Sequence, residues 1–208
     1  LNVLNGKTTG VITVNATTIT GALSDIKAAY DAQTAGEITG LGNETITVTD
    51  TGSISSSALN DLNALTTGVV TVNAATTVTG SLSEILSSYS DSNISGVITG
   101  LSDEAVTLTD TGSVSAADLN SANSKTTGVV TADNVTAITG TYAEVNAAYT
   151  ANTAGSLSGL GNEAITINAS NSITVSQANA LDALTTGNVT ATLSSNDIDT
   201  LATLTGTG

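Results

Sequence analysis

Thr66-Thr67-Gly68-Val69-Val70-Thr71-Val72-Asn73-Ala74-Ala75-Thr76-Thr77-Val78-Thr79-Gly80 decides the reading of this chain, because it comes back. A version precedes it between Thr8 and Gly21, another spans Thr126 to Gly140, and its opening returns at Thr185 to Ala191. Its glycine falls at Gly10, Gly68, Gly128 and Gly187, in steps of 58, 60 and 59 residues. A fixed period of this size marks a repeat architecture, in which neighbouring units cover one another's apolar faces. The repeats run over about 10–67, 68–127 and 128–186, with a partial fourth at 187–208.

Each repeat divides into two related halves. The first halves cover 10–35, 68–95 and 128–154, and the second cover 36–67, 96–127 and 155–186. Gly10-Val11-Ile12-Thr13 matches Gly36-Glu37-Ile38-Thr39, and Thr18-Ile19-Thr20 matches Thr45-Ile46-Thr47. The structural unit is therefore a coil of about 30 residues, used twice per repeat. At the start, Leu1 aligns with Leu59 and Leu4 with Leu62, so the chain opens in mid-repeat, as a piece of a longer array would.

Alternation predicts the strands. Ile12 and Val14 flank Thr13, and Val70 with Val72, Val130 with Ala132 and Val189 with Ala191 repeat the pattern. A second strand centres on Ile19, Val78 or Ile138. In the second halves Ile46 with Val48, Val106 with Leu108 and Ile165 with Ile167 alternate with small or hydroxyl residues. β-Branched side chains suit a pleated surface. A helical period follows, with Leu23, Ile26 and Tyr30, then Leu82, Ile85 and Tyr89, then Tyr142, Val145 and Tyr149 at i, i+3 and i+7. Ser81 with Glu84 and Thr141 with Glu144 have capping-box spacing, whereas Ala22 with Asp25 leaves the first box incomplete. The second halves carry a weaker helical stripe, Leu59, Leu62 and Leu65. At the far end, 192–201 reads as a capped short helix.

Composition narrows the function. The 208 residues include no Pro, Cys, Met, Trp, Phe or His, and the four aromatics are all Tyr. Without large aromatics the core must be thin, which suits a stack in which each unit touches only its neighbours. Hydrophobic content of 39% is too high for a disordered tract. Eighteen acids face three lysines, for a net charge of −15. Phosphate backbones and anionic membranes need clustered cations, so nucleic acid is excluded as a partner. No apolar run approaches the length of a membrane span, so no membrane insertion is expected. The lack of Cys and His removes disulfides, thiol chemistry, the usual general base and the commonest transition-metal ligands.

Three strings carry a family likeness: Thr67-Gly68-Val69-Val70-Thr71, then Thr136-Ala137-Ile138-Thr139-Gly140-Thr141-Tyr142-Ala143-Glu144-Val145, then Gly159-Leu160-Gly161-Asn162-Glu163-Ala164-Ile165-Thr166. They resemble the Thr/Ala/Gly-rich repeat regions of giant secreted cell-surface proteins of cyanobacteria and other aquatic bacteria, RTX-adhesin-like in character. The resemblance implies a β-solenoid in a stalk, sheath, adhesin or filament, often beside calcium-binding repeats. This chain lacks the glycine–aspartate nonapeptide of those calcium repeats.

Chemistry-bearing residues recur with the repeat. Glu44, Glu104 and Glu163 sit in Gly-Asn-Glu or Ser-Asp-Glu turns. Carboxylates stacked along an array are the candidates for Ca²⁺, which wants six to eight oxygens. The plainer reading is that each acid caps a turn or helix start, where free N–H groups favour a carboxylate. Stacked once per repeat they would lie about 10 Å apart, too far for one shared ion. Asp50-Thr51-Gly52 and Asp110-Thr111-Gly112 read as turns, and Ala169 replaces the acid in the third copy. Ser24 and Lys27 have Ser-x-x-Lys spacing, but the later copies lack the Lys. Thr45, Thr47, Thr49 and Thr51, with Thr107, Thr109 and Thr111, suit either an exposed strand or an ice-binding hydroxyl array. Asn-x-Ser/Thr strings occur at Asn15, Asn43, Asn93, Asn134, Asn168 and Asn188.

These readings set the expectation of a mainly β fold, a parallel β-solenoid with short helices closing alternate coils, one segment over 1–208. The expected function is a structural repeat of an extracellular filament, sheath or adhesin stalk, secreted to the cell surface, with no catalysis and no cofactor. The alternative is a ligand-binding solenoid for calcium, ice or glycan. The expected partner is a further repeat, in the same chain or by self-association end to end.

Overall fold

The structure is a computed structural model that describes residues 1–90 and 97–206. The chain divides into two compact units, Leu1–Glu104 and Ala105–Gly208.

The first unit runs α1 (Asn2–Asn5), β1 (Ile12–Thr13), β2 (Thr18–Gly21), α2 (Leu23–Thr34), β3 (Ile38–Thr39), β4 (Thr45–Val48), β5 (Ser53–Ser55), α3 (Ser56–Asn63), β6 (Val70–Val72), β7 (Thr77–Gly80), α4 (Leu82–Ser88) and β8 (Ile98–Thr99). Its pairings are all parallel: β1 with β3, β2 with β4, β4 with β6, β6 with β8, and β5 with β7. The second unit runs β9 (Ala105–Leu108), β10 (Ser113–Ser115), α5 (Ala116–Lys125), β11 (Val130–Thr131), β12 (Ala137–Gly140), α6 (Tyr142–Ala154), β13 (Leu157–Ser158), β14 (Ala164–Ile167), β15 (Ser172–Ile173), α7 (Val175–Asp182), β16 (Val189–Thr190), β17 (Thr192–Leu193) and α8 (Ile198–Leu201). Again every pair is parallel: β9–β11–β13, β10–β12–β14–β16 and β15–β17.

This is an α/β arrangement of parallel sheets with short helices, 33% helical and 24% strand. The expectation of a mainly β chain is corrected on this point, because helices follow both halves of the repeat and not alternate ones. In the second halves the stripe is short but well capped. Ser55 Oγ accepts from Ala58 N–H at α3, and Ser115 Oγ from Asp118 N–H at α5. Leu59 and Leu62 are both fully buried. The eight-residue α3 has too few turns for its period to stand out in the sequence.

The halves also differ in strand number. The first, or A, half carries two strands and a helix, as in β6, β7 and α4. The second, or B, half carries three strands and a helix, as in β3, β4, β5 and α3. The extra strand moves the pairing sideways. Within a repeat the first strand lies on the first, Ile12 opposite Ile38, and the second on the second, Ile19 opposite Ile46. Into the next repeat, β4, the second strand of its half, lies beside β6, the first of its own, with Ile46 opposite Val70. The second unit repeats the step with β14 beside β16.

The core lies on the inward side of these ladders. Ile46, Val70, Val72 and Val78 are fully buried in the first unit, and Val106, Val130, Ile138 and Ile165 in the second. Each such side chain contributes about 1.5–3 kcal/mol by leaving water. The outward positions carry hydroxyls. Thr20, Thr47, Thr71 and Thr99 stand in register across β2, β4, β6 and β8.

Candidate functional site

The helix starts show how local chemistry fixes each half. Ser81 with Glu84 and Thr141 with Glu144 form complete capping boxes, as the spacing predicts. Thr174 with Gln177 forms a third. Where Ala22 leaves the box incomplete, a residue from the following half supplies the acceptor: Leu23 N–H donates to Asp50 Oδ2 at 2.7 Å. Lys27 of the Ser-x-x-Lys string pairs with Asp31 at 3.1 Å on an exposed helix face, away from any serine chemistry.

The recurring acids turn inward. Glu44 and Glu163 are fully buried, and Glu104 is 3% exposed. Glu44 Oε2 accepts from Tyr30 Oη at 2.7 Å, from Gly42 N–H at 2.8 Å and from Asn43 N–H at 3.2 Å. Glu163 Oε2 accepts from Tyr149 Oη and from Gly161 N–H, both at 2.8 Å. Glu104 Oε2 accepts from Tyr89 Oη at 3.3 Å and from Ser102 N–H at 2.9 Å. The tyrosine comes from the helix of an A half (Tyr89 from its C-cap) and the glutamate from the corner of the B half after it. A buried carboxylate persists when donors of this kind replace water.

The electrostatics follow from that geometry. Burial pushes the Glu44 carboxyl up, but the Gly42 N–H, the Tyr30 hydroxyl and the Asn43 N–H outweigh it and hold the group below its usual range. Tyr30 and Tyr149 are pushed above the usual phenol value, first by burial and then by the hydrogen bond to the carboxylate. For calcium, the arrangement offers each carboxylate a shell of N–H and O–H donors, where a cation needs oxygens. Among the described residues no three His, Cys, Asp or Glu side chains converge as a metal set.

The backbone of the same corner makes a second connection. Glu44 O accepts from Thr66 Oγ1 at 2.8 Å, and Glu163 O from Thr185 Oγ1 at 2.7 Å. Each threonine in turn accepts from the glycine two residues on, Gly68 N–H at 3.0 Å and Gly187 N–H at 2.9 Å. Beside them Thr67 N–H donates to Gly42 O and Thr186 N–H to Gly161 O. The glycine is there for space. A Cβ on Gly68 would stand 2.1 Å from Glu44 O, and one on Gly187 2.3 Å from Glu163 O. The Thr-Thr-Gly string thus folds the end of each B half back onto the glutamate corner of that same half. The recurrence of the glycine is plain in the sequence, but nothing there joins the Thr to the Glu 22 residues earlier.

A third connection runs from a helix to the helix, or for Asn179 the turn after the helix, of the next half. Asn2 Nδ2 donates to Asp25 O, Asn60 Nδ2 to Glu84 O, Asn120 Nδ2 to Glu144 O and Asn179 Nδ2 to Thr203 O, at 2.8–3.0 Å. The signal was in the sequence, since Asn2, Asn60, Asn120 and Asn179 keep the repeat spacing. Gly40, at φ +92°, closes the other corner: its Cα faces Val14 O, where a Cβ would stand at 2.2 Å.

The exposed candidates stay on the surface. Asn15, Asn43, Asn134, Asn168 and Asn188 are exposed, and Asn93 lies outside the described residues. No family model matches the chain, and neither a curated protein nor a solved structure does.

Proposed function

We propose that this chain is a structural repeat segment, a parallel β-solenoid of an extracellular filament, sheath or adhesin stalk on the cell surface, with no catalytic role. The observation that carries the reading is the use made of its buried polar groups. Glu44 and Glu163 each take a tyrosine hydroxyl from the half-repeat before, while Thr66 and Thr185 tie the end of their own half back to the same glutamate corner. A catalytic carboxylate needs an open face toward substrate, and an active site occurs once. These groups are enclosed and recur. The net charge of −15 keeps such an array soluble and mutually repelling.

The test is a length series. Chains carrying one or two extra copies of residues 68–127 are compared by small-angle X-ray scattering. Each added repeat lengthens the particle by about 10 Å, two strand spacings. A maximum dimension that grows only as the cube root of mass overturns the reading.

A second reading, a ligand-binding face, draws on the in-register hydroxyl column Thr20, Thr47, Thr71 and Thr99. Thr71 and Thr99 Oγ1 stand 3.3 Å apart. An ordered uncharged array of this kind suits ice or a glycan. Thermal hysteresis in a freezing assay, lost in Thr47→Lys, is the expected result on that reading.

A further inference from the structure

Asn5, Asn63 and Asn123 hold one place in successive repeats. Asn5 ends α1, Asn63 ends α3, and Asn123 lies in the last turn of α5. One end of the amide is accounted for. Asn5 Nδ2 donates to Glu37 Oε2 at 2.6 Å, and Asn123 Nδ2 to Ser156 Oγ at 3.3 Å. Glu37 and Ser156 are matching residues, each following the glycine that opens a B half. A carboxylate only accepts, so the Glu37 bond fixes which end of the Asn5 amide faces that corner. Asn123 keeps the same orientation. The other end is not accounted for. Asn63 is 1% exposed, and no donor among the described residues reaches Asn63 Oδ1 or Asn123 Oδ1, both of them buried atoms. Elsewhere buried amides use both ends: Gln33 bonds Leu41 N–H and O, and Asn152 does the same with Leu160. A stranded acceptor is costly inside a protein. The two that stand here share a repeat position, one in each unit, where an isolated packing fault would not recur.

We propose that Asn63 Oδ1 and Asn123 Oδ1 each anchor an internal hydration site, a single water held between the last turn of a B-half helix and the half that follows. The open atom is an acceptor, so its ligand must donate, and a water brings two hydrogens. Internal waters gather at polar groups of this kind, with about three hydrogen bonds each. The second hydrogen has acceptors close by in the Asn123 copy. Ser156, which takes the Asn123 NH₂, also reaches Ala151 O at the end of α6, and the last carbonyls of a helix lack intrahelical donors. A metal ion is a poorer occupant, because a single amide oxygen is offered and no set of acids converges among the described residues. The site is a property of the repeat, one water per copy, and stands apart from the reading of the chain as a stalk or filament.

Oxygen-17 relaxation dispersion of the solvent counts waters held for longer than the protein takes to tumble, and it is run on the full 208-residue chain. Asn63→Leu and Asn123→Leu are each expected to lower the count by one water, and the double variant by two. A count that either single variant leaves unchanged overturns the proposal. Should a variant fail to fold, a crystal structure of the parent decides. A water within hydrogen-bond reach of both oxygens supports the proposal, and a dry oxygen at either position overturns it. The dispersion is repeated with tetramethylammonium in place of sodium and potassium. An unchanged count supports water; a count that follows the alkali cation gives the site to a cation and overturns the proposal.

Discussion

The helix pair α3/α4 and the helix pair α5/α6 occupy the same place in successive repeats and are joined differently. Between α3 and α4, the Ser56 hydroxyl donates to Glu84 O at 2.7 Å and the Ser88 hydroxyl to Asn60 Oδ1 at 2.9 Å, with the two oxygens 2.5 Å apart. At the matching positions of α5 and α6 stand Ala116 and Ala148, both fully buried. What the pairs share is the asparagine, Asn60 to Glu84 O and Asn120 to Glu144 O. Matched hydroxyls and matched methyls fill one space equally well, because either both partners are polar and satisfied or neither is. The strand corners show no such freedom. Glu44 and Glu163, one in each unit, keep the same tyrosine and the same threonine bonds.

The comparison breaks most sharply at the corners. Glu44→Ala and Glu163→Ala each strand a tyrosine hydroxyl and turn N–H groups, at a cost of about 3 kcal/mol. Urea denaturation checks this, and a gap between the two variants of more than about 1 kcal/mol means that the corners are not equivalent. Gly68→Ala and Gly187→Ala come next, at about 2–3 kcal/mol, since the added Cβ meets backbone that cannot swing aside. Chemical denaturation beside Gly10→Ala, which should be neutral, reads that difference directly.

A smaller effect is set by pH. Tyr30 and Tyr149 titrate above the ordinary 10.0 when folded, so their contribution is intact below pH 10 and is lost as pH rises beyond it. Glu44 titrates below its ordinary 4.5, so its contribution is present above pH 4.5 and is lost as pH falls through the lower folded value. Melting temperature against pH should fall at both ends. Tyr30→Phe with Tyr149→Phe should flatten the alkaline limb while lowering stability at neutral pH by about 1.5 kcal/mol per site. An alkaline limb that survives the double variant assigns it elsewhere.

The helix pair gives the smallest change. Ser56→Ala alone should cost about 1 kcal/mol, and Ser56→Ala with Ser88→Ala should return to within about 0.5 kcal/mol of the parent. A double-mutant cycle measures that coupling, and additive losses refute the equivalence of the two helix pairs.

Much of this organisation was legible in the residues. Matching Ile12 to Ile38 and Ile19 to Ile46 by sequence alone predicts the strand register within a repeat, and the backbone pairing agrees. The inward set of Val70, Val72 and Val78 was equally legible from alternation. The sideways step was not. It depends on β5, β10 and β15, strands of two or three residues, too short to display a period. The glutamate corners were found as recurring acids, but their partners were not, because Tyr30 lies 14 residues before Glu44 and reads as one more member of a helical core stripe. Periodicity shows which side of an element is apolar; it does not show which polar tip on that side meets which.

The sideways step has a consequence for how far any one ladder runs. Courses laid one strand out of line resemble brickwork in running bond, in which no vertical joint continues from one course to the next. A tear that opens between β1 and β3 has no continuing ladder beyond β3, since β4, not β3, carries β6. A partner that follows the hydroxyl column from Thr20 reads four strands to Thr99. The offset therefore limits how many strands any single column can display.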